Sequence, residues 1–200
     1  MSFRDFTPKR RPIIKYVSKY TQHRDDLKID FKDRCGYCND IYIWRFASFE
    51  IDHFIPRKKD KKNFLTIKTE TDYSNLVYAC RSCNNSKSNK WPTNDQSIPH
   101  RNDQGFVDPC EDDYNNHFTR LDNGQIKPTT NLGEWIYNNL KFHKPQHEVI
   151  WNIEQLDGLI KESKLLLNNI SDDSLAKVTK DLLLNLYDKY LIYTKQLGEL

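Results

Sequence analysis

The spacing of apolar positions in the first fifty residues predicts one helical segment followed by two strands. Between Ile13 and Phe31, apolar residues return every three or four positions on either side of a polar stretch, which favours one helix or a broken pair. Ile41 to Phe46 and Phe49 to Phe54 are rich in β-branched and aromatic residues and are separated by a short break. This pattern predicts two strands in a hairpin.

The following forty residues predict a loop, a second strand segment and a short helix. Pro56 interrupts the ladder of the preceding strand, so a basic loop over about 57 to 72 should follow. The chain then returns to an apolar strand at 75 to 79, and Asn84 to Lys90 predicts a short helix that ends at Trp91-Pro92. Two strands and a helix are therefore the local fold that we expect around residues 49 to 90.

Residues 92 to 131 lack apolar periodicity and are rich in Asn, Asp, Gly and Pro, which indicates ordered loops. Asn123-Gly124 predicts a tight turn, with short strands at 119 to 121 and 125 to 127.

The last third of the chain predicts three helices, over Leu132 to Leu140, Gln146 to Leu167 and Ser171 to about Leu197. The third helix carries an apolar stripe in steps of three and four, made of Leu175, Val178, Leu182, Leu186, Tyr190, Tyr193 and Leu197. Leu183, Leu184 and Leu191 lie off that stripe, so the helix is apolar on more than one side. The excess either packs inside the protein or forms a surface for a partner or for self-association.

Charge is unevenly distributed although the formal net charge is only +3. Residues 1 to 34 carry ten Lys or Arg against five acids, a further basic run covers 57 to 62, and residues 102 to 124 are acidic. Positive charge near a site and negative charge away from it would suit a polyanionic substrate. A Lys-rich loop that only maintains solubility is the alternative for residues 57 to 62.

The cysteines indicate metal binding rather than disulfides. Of the five, four form two Cys-x-x-Cys pairs, Cys35 with Cys38 and Cys80 with Cys83, and Cys110 has no partner at a comparable spacing. An odd count, an N-terminus without a signal-peptide pattern and the lack of a membrane-length apolar run predict a cytoplasmic protein. Two such pairs present four thiolates to one tetrahedral Zn²⁺, which would replace the core that about 50 residues cannot build alone. A cysteine redox role is the weaker alternative.

The residues between and after these pairs resemble the HNH nuclease family. Asp52-His53, then Asn75-Leu76, then Cys-x-x-Cys-Asn-x-x-Lys ending at Lys87 match its motif, with Asn84 at a position that is often His. The order of the flanking segments is also similar to HNH proteins of bacterial anti-phage defence systems, including the HNH subunits of Septu systems. The resemblance implies a ββα-metal fold with a four-cysteine zinc site.

The resemblance also implies roles for individual residues. His53 would be the general base, Asp52 and Asn84 would hold Mg²⁺ or Mn²⁺, and Asn75 would orient the loop that carries His53. Arg57 and Lys87 would contact substrate phosphate, and the products would carry 5′-phosphate and 3′-hydroxyl ends. From the residues alone, His53 could instead be structural, Asn84 could be only a helix cap, and His117 and Cys110 are expected to be structural or idle.

We therefore predict an α+β protein with a zinc-stapled ββα-metal centre. Its expected parts are a basic helical arm (1–34), the HNH core (35–92), a loop-rich wrap (93–131) and a helical extension for partner docking (132–200). The expected function is metal-dependent cleavage of nucleic acid, with DNA favoured, in anti-phage defence and in complex with an ATPase subunit. The alternatives are a non-catalytic zinc-ribbon module that binds nucleic acid, and an RNA-cleaving HNH nuclease activated by a partner.

Overall fold

The computed structural model describes residues 2–12, 15–45 and 49–200. The chain divides into two compact units: the first contains residues 1–122 and 126–143, and the second contains 123–125 and 144–200. The first unit therefore includes the helix at 131–140, which the sequence had assigned to the C-terminal extension.

The described residues form short strands in the first unit and long helices in the second. The strands are β1 (Phe49–His53), β2 (Lys58–Lys59), β3 (Lys62–Asn63), β4 (Leu76–Cys80), β5 (His100–Arg101), β6 (Gln104–Gly105), β7 (Phe118–Arg120) and β8 (Ile126–Pro128). The α-helices are α1 (Arg24–Asp30), α2 (Arg81–Lys87), α3 (Asn131–Leu140), α4 (Gln146–Asn169) and α5 (Asp173–Glu199). Single 3₁₀ turns cover Tyr20–His23, Tyr42–Trp44, Tyr73–Asn75 and Asp112–His117. No helix among the described residues has the length and apolar character needed to cross a bilayer.

The centre of the first unit is an antiparallel pair of strands followed directly by a helix. β1 pairs with β4 in a register that sets Phe49 opposite Cys80 and His53 opposite Leu76. All five residues of β4 are buried, which explains its continuous apolar sequence. Because α2 begins at the residue after Cys80, the predicted arrangement of two strands and a helix is confirmed.

The predicted hairpin between 41–46 and 49–54 is wrong. Tyr42–Trp44 forms a 3₁₀ turn and Ile41 makes an isolated bridge with Arg34, while residues 46–48 lie outside the described part of the chain. Ile43 is 70% exposed, so this segment has no buried face to pair with β1. The fully buried β4 takes that place instead.

The N-terminal arm, whose positive charge was expected to suit a polyanionic substrate, is embedded in the first unit. Phe3 is buried, and the buried Arg4 guanidinium donates to the main-chain oxygens of Gly36 (3.0 Å) and Pro109 (2.7 Å). Arg10 makes two hydrogen bonds with the Asp108 carboxylate, at 2.9 and 3.0 Å. The arm therefore stabilises the fold.

The predicted helix between Ile13 and Phe31 is present only in its second half. Residues 13 and 14 lie outside the described chain, and helical structure starts at Tyr20. The Gln22 side-chain oxygen accepts from the main-chain N–H groups of Ser18 and Lys19, both at 3.0 Å, and so caps the turn at this point. The polar stretch therefore marks the start of the helix.

Residues 92–131 combine loops with two small ribbons, β5 with β6 and β7 with β8. The latter pair corresponds to the short strands predicted on either side of Asn123-Gly124, and Gly124 has a positive φ of 91°. This conformation favours glycine.

The second unit contains the helices α4 and α5, and Asp172 caps α5 by accepting from the Leu175 N–H at 2.8 Å. Its small apolar core consists of Leu156, Ile160, Leu183 and Leu186. Leu183 was predicted to lie off the buried stripe, whereas Leu182, predicted on it, is 51% exposed. The buried stripe was therefore predicted one residue too early in the first half of α5. Many leucines of this helix are exposed to solvent.

Candidate metal and catalytic site

Four buried cysteines from two separate segments form one cluster. Cys35 and Cys38 come from the turn after α1, Cys80 ends β4 and Cys83 lies in the first turn of α2. Their sulfur atoms all lie within 4.8 Å of one another, and the Cys38 and Cys80 Sγ atoms are 3.8 Å apart. Four bonds of about 2.3 Å to a tetrahedral Zn²⁺ place sulfurs about 3.8 Å apart. The predicted zinc ligands therefore have the geometry of a closed zinc site.

The surroundings of the cluster also fit a cation. All four side chains are buried, and burial raises the pKa of Cys38 and Cys83. A group of thiolates in this position needs a positive charge, which Zn²⁺ supplies.

A cleft of about 510 Å³ in the first unit brings together most of the other predicted site residues. Asp52 and His53 reach it from the end of β1, Asn84 from α2, and Arg57 from the loop after Pro56. Because β1 pairs with β4 and α2 follows β4 directly, Asp52 and His53 come to line the same cleft as Asn84, which lies about thirty positions later in the sequence. Asn84 lies inside α2, which begins at Arg81, so a role as a helix cap is excluded.

The His53 ring is held in place by contacts with Glu70 and Tyr20. Its Nε2 lies 2.8 Å from the main-chain oxygen of Glu70, and its ring meets Tyr20 edge-on at 4.7 Å. Because a carbonyl oxygen only accepts, Nε2 carries the proton and Nδ1 is the basic nitrogen. Burial lowers the pKa of His53, and the hydrogen bond to Glu70 opposes this shift in part. A lowered pKa favours the neutral imidazole, which is the form that can take a proton.

Among the described residues, the side-chain donors that contact Asp52 do so through one of its two oxygens. Its Oδ2 accepts from the Tyr37 hydroxyl at 2.6 Å and lies 3.0 Å from the Lys87 ammonium. These two donors hold the carboxylate in one orientation, which leaves Oδ1 for a hard cation.

The Asn84 amide is oriented by Glu50. Its Nδ2 donates to Glu50 Oε2 at 2.6 Å, and a carboxylate can only accept, so the amide cannot be turned the other way. Asn84 is left with its Oδ1 as a ligand atom. Oxygens from Asp52 and Asn84 form the type of ligand set that Mg²⁺ and Mn²⁺ prefer.

Asn75 binds the chain immediately after His53. Its Oδ1 accepts from the Ile55 N–H at 2.9 Å, its Nδ2 donates to the Ile55 oxygen at 3.1 Å, and its main-chain oxygen accepts from Phe54. Asn75 is buried, so these contacts agree with the expected role in orienting the His53 loop.

Arg57 and Lys87 differ in their access to the cleft. Arg57 lies over the Tyr20 ring, pairs with Glu70 at 2.9 Å and keeps a side chain that is 43% exposed. Lys87 is completely buried, and its Nζ donates to the His53 main-chain oxygen at 2.9 Å in addition to its contact with Asp52. The expectation that Lys87 contacts a phosphate does not fit this position, because its ammonium is enclosed and already bonded.

The structure also changes the interpretation of the charge pattern. The acidic segment pairs with the basic arm, through Arg10 with Asp108 and Lys9 with Asp112, the latter at 2.8 Å. Much of the arm's charge is therefore neutralised inside the first unit. The basic run at 57–62 stays near the cleft, and Lys58 lines it.

His117 and Cys110 lie apart from the cleft. His117 bonds Thr130 Oγ1 at 2.6 Å and Asp113 Oδ2 at 3.2 Å, and Thr130 caps α3. Cys110 is a free thiol with its pKa raised to about 12 by burial.

Tyr37 and Glu50 are the contributors to the site that sequence reasoning missed. Glu50 precedes Asp52 by two positions in a strand, so both side chains project from the same face. Tyr37 lies between Cys35 and Cys38, and the Cys-x-x-Cys pattern assigns no role to the residues between the cysteines.

Comparison with known proteins agrees with this geometry. Residues 35–90 match the family model "HNH endonuclease". The chain is also 29% identical over 192 residues to the Septu protein PtuB of Bacillus mycoides (strain KBAB4), which covers 82% of this chain. The chain in turn spans 64% of the length of that relative. No solved structure gave a significant match.

These similarities confirm both resemblances drawn from the motifs. The family model matches the same residues, 35–90, from which the resemblance to HNH nucleases was drawn. The mixed helix and strand structure with its clustered cysteines confirms the predicted fold class.

Proposed function

We propose that this protein is a metal-dependent HNH endonuclease that cleaves DNA. The observation that carries the proposal is the cleft that His53, Asp52, Asn84 and Arg57 share. A basic nitrogen, two oxygen ligands and an accessible guanidinium are the groups that phosphodiester hydrolysis requires.

In the proposed mechanism, His53 removes the proton from the attacking water. The hydrogen bond from Nε2 to Glu70 keeps Nδ1 unprotonated and fixes the plane of the ring. The contacts between Asn75 and Ile55 hold the chain on the following side. Both sets of contacts reduce the movement of the base relative to the phosphate, which supports efficient proton transfer.

Asp52 and Asn84 would hold one Mg²⁺ or Mn²⁺ through their Oδ1 atoms. When bound, such an ion supplies positive charge to the phosphate and to the leaving oxygen. Arg57, at the rim of the cleft, would bind a phosphate oxygen and position the strand. Zn²⁺ at the four cysteines has a structural role and takes no part in the reaction.

We further propose that the enzyme acts in the cytoplasm as the effector subunit of an anti-phage defence system, together with an ATPase. The similarity to a Septu protein supports this assignment. Exposed apolar side chains on α4 and α5 support the presence of a partner surface, since nine of them are about half exposed or more: Leu159, Leu165, Leu166, Leu175, Val178, Leu182, Leu184, Leu191 and Ile192.

Plasmid cleavage tests the proposal. Zinc-loaded protein, alone and with the products of neighbouring genes, is incubated with supercoiled plasmid or with RNA in Mg²⁺ or Mn²⁺. His53→Ala should lower the rate by about 10²- to 10⁴-fold, the usual contribution of a general base. His143→Ala is the matched control, because His143 is exposed and does not line the cleft.

Equal activity of the wild type and His53→Ala would remove His53 from the reaction. Binding of nucleic acid without cleavage under every condition would favour the non-catalytic zinc module. Cleavage of RNA but not plasmid would change the substrate assignment, and activity only with the neighbouring gene products would identify a partner-activated enzyme.

A further inference from the structure

Tyr37 connects the zinc knuckle directly to the proposed catalytic carboxylate. It lies between Cys35 and Cys38, and its side chain is completely buried. Its hydroxyl donates to Asp52 Oδ2 at 2.6 Å. A residue carried by one metal site therefore touches a ligand of the other.

The contact acts on the orientation of Asp52. A phenol is a hydrogen-bond donor at neutral pH, and the Lys87 ammonium reaches the same Oδ2 at 3.0 Å. Because both donors contact Oδ2, they favour one orientation of the carboxylate. Oδ1 is then the atom that remains for a cation.

The knuckle itself is anchored without the Tyr37 hydroxyl. The Gly36 N–H donates to Tyr78 at 2.8 Å, the Cys35 N–H to Asp40 at 2.9 Å, and the Tyr37 main-chain oxygen accepts from the Tyr114 hydroxyl at 2.8 Å. Loss of the Tyr37 hydroxyl should therefore leave the zinc site folded and affect mainly Asp52.

We propose that Tyr37 is a positioning residue for the catalytic cation, and that through it the zinc knuckle fixes Asp52 in its ligating orientation. The inference rests on the proposed function only in taking Asp52 as a ligand of that cation. Groups that hydrogen-bond to a metal-ligating side chain commonly affect its affinity for the metal. Their loss weakens metal binding by about 10- to 100-fold.

The test compares Mn²⁺ binding by zinc-loaded wild type, Tyr37→Phe and Tyr114→Phe, followed by electron paramagnetic resonance. Tyr114→Phe is the matched control. It removes a buried hydroxyl that donates to the same knuckle, at the Tyr37 main-chain oxygen, and leaves the hydrogen bond to Asp52 in place. Asp52→Asn identifies the site that is being measured. Tyr37→Phe should keep its zinc and weaken Mn²⁺ binding by about 10- to 100-fold, whereas Tyr114→Phe should bind Mn²⁺ as the wild type does.

Unchanged Mn²⁺ affinity in Tyr37→Phe would overturn the inference, as would equal weakening in both variants. If Tyr37→Phe loses zinc, 4-aminophenylalanine in place of Tyr37 keeps an N–H donor and is compared with 4-methylphenylalanine, which has none. Equal Mn²⁺ binding by these two proteins would also overturn it. An enzyme that binds Mn²⁺ as expected but cleaves no nucleic acid would contradict the proposed function and leave the role of Tyr37 supported.

Discussion

Replacing Lys87 with methionine should lower the free energy of unfolding by about 3 kcal/mol, near the lower end of the cost of breaking a buried ion pair. Lys87 is completely buried, with Nζ 3.0 Å from Asp52 Oδ2 and 2.9 Å from the His53 main-chain oxygen. The substitution removes the cation and leaves both acceptors in place.

The magnitude follows from what remains around these acceptors. Methionine has nearly the length of the lysine stem, so most of the packing is kept. The decrease in the free energy of unfolding therefore measures the contribution of the ammonium. Asp52 retains the Tyr37 hydroxyl and borders the cleft. This is why we expect about 3 kcal/mol rather than the 5 kcal/mol seen for fully isolated charges.

Urea denaturation of zinc-loaded protein at pH 7 measures the change. Lys62→Met is the control, because Lys62 is exposed, and it should stay within about 0.5 kcal/mol of the wild type. Adding Asp52→Asn to Lys87→Met should recover part of the loss, since it removes the unpaired charge. A value for Lys87→Met as small as that of the control would refute the idea that the ammonium is committed to Asp52.

Three further predictions concern zinc, pH and the loop after His53. Cys83→Ser should abolish zinc uptake and unfold the ββα centre, because a small core depends on its metal for folding free energy; a variant that keeps its circular dichroism without zinc would contradict this. Burial lowers the pKa of His53 below its ordinary 6.5, so the protonated, inactive form accumulates only at lower pH. The acid limb of a pH–rate profile should therefore be centred below pH 6.5, and an acid limb centred above 6.5 would be inconsistent with His53 as the base. Asn75→Ala removes two buried hydrogen bonds to Ile55 and should cost about 1–3 kcal/mol in urea denaturation, with slower cleavage even where the protein is folded; full activity would separate Asn75 from the site.

The zinc ligands could be predicted because the relevant information is local. In each Cys-x-x-Cys pair, a tight turn brings two sulfurs together whatever the remaining chain does. The strands that carry Asp52 and Cys80 were likewise predictable, the first from its aromatic and β-branched residues and the second from its apolar run. Only one long-range contact then had to be predicted, the pairing of β1 with β4.

The N-terminal arm could not be predicted in the same way, because its environment is set by distant residues. Arg10 meets Asp108, and Arg4 meets Pro109 and Asn115, each about a hundred positions further along the chain. A local pattern of arginines gives no indication that carbonyl and carboxylate partners will arrive there. Basic composition therefore suggested a surface for a polyanion, whereas in the structure Arg4 and Arg10 bond to oxygens of the same chain.

Lys87 was misassigned although the sequence did contain the signal for its position. Cys83 must face the interior if it ligates zinc, and a residue four positions later lies on the same face of a helix. Cys83 and Lys87 are the two buried residues of α2. The zinc ligand thus determines which side of α2 points inward, and a lysine on that side needs an acceptor within reach, which β1 supplies as Asp52. In this structure Lys87 holds the carboxylate of Asp52, which we propose as a ligand of the catalytic cation, and Arg57 is left as the candidate for phosphate contact.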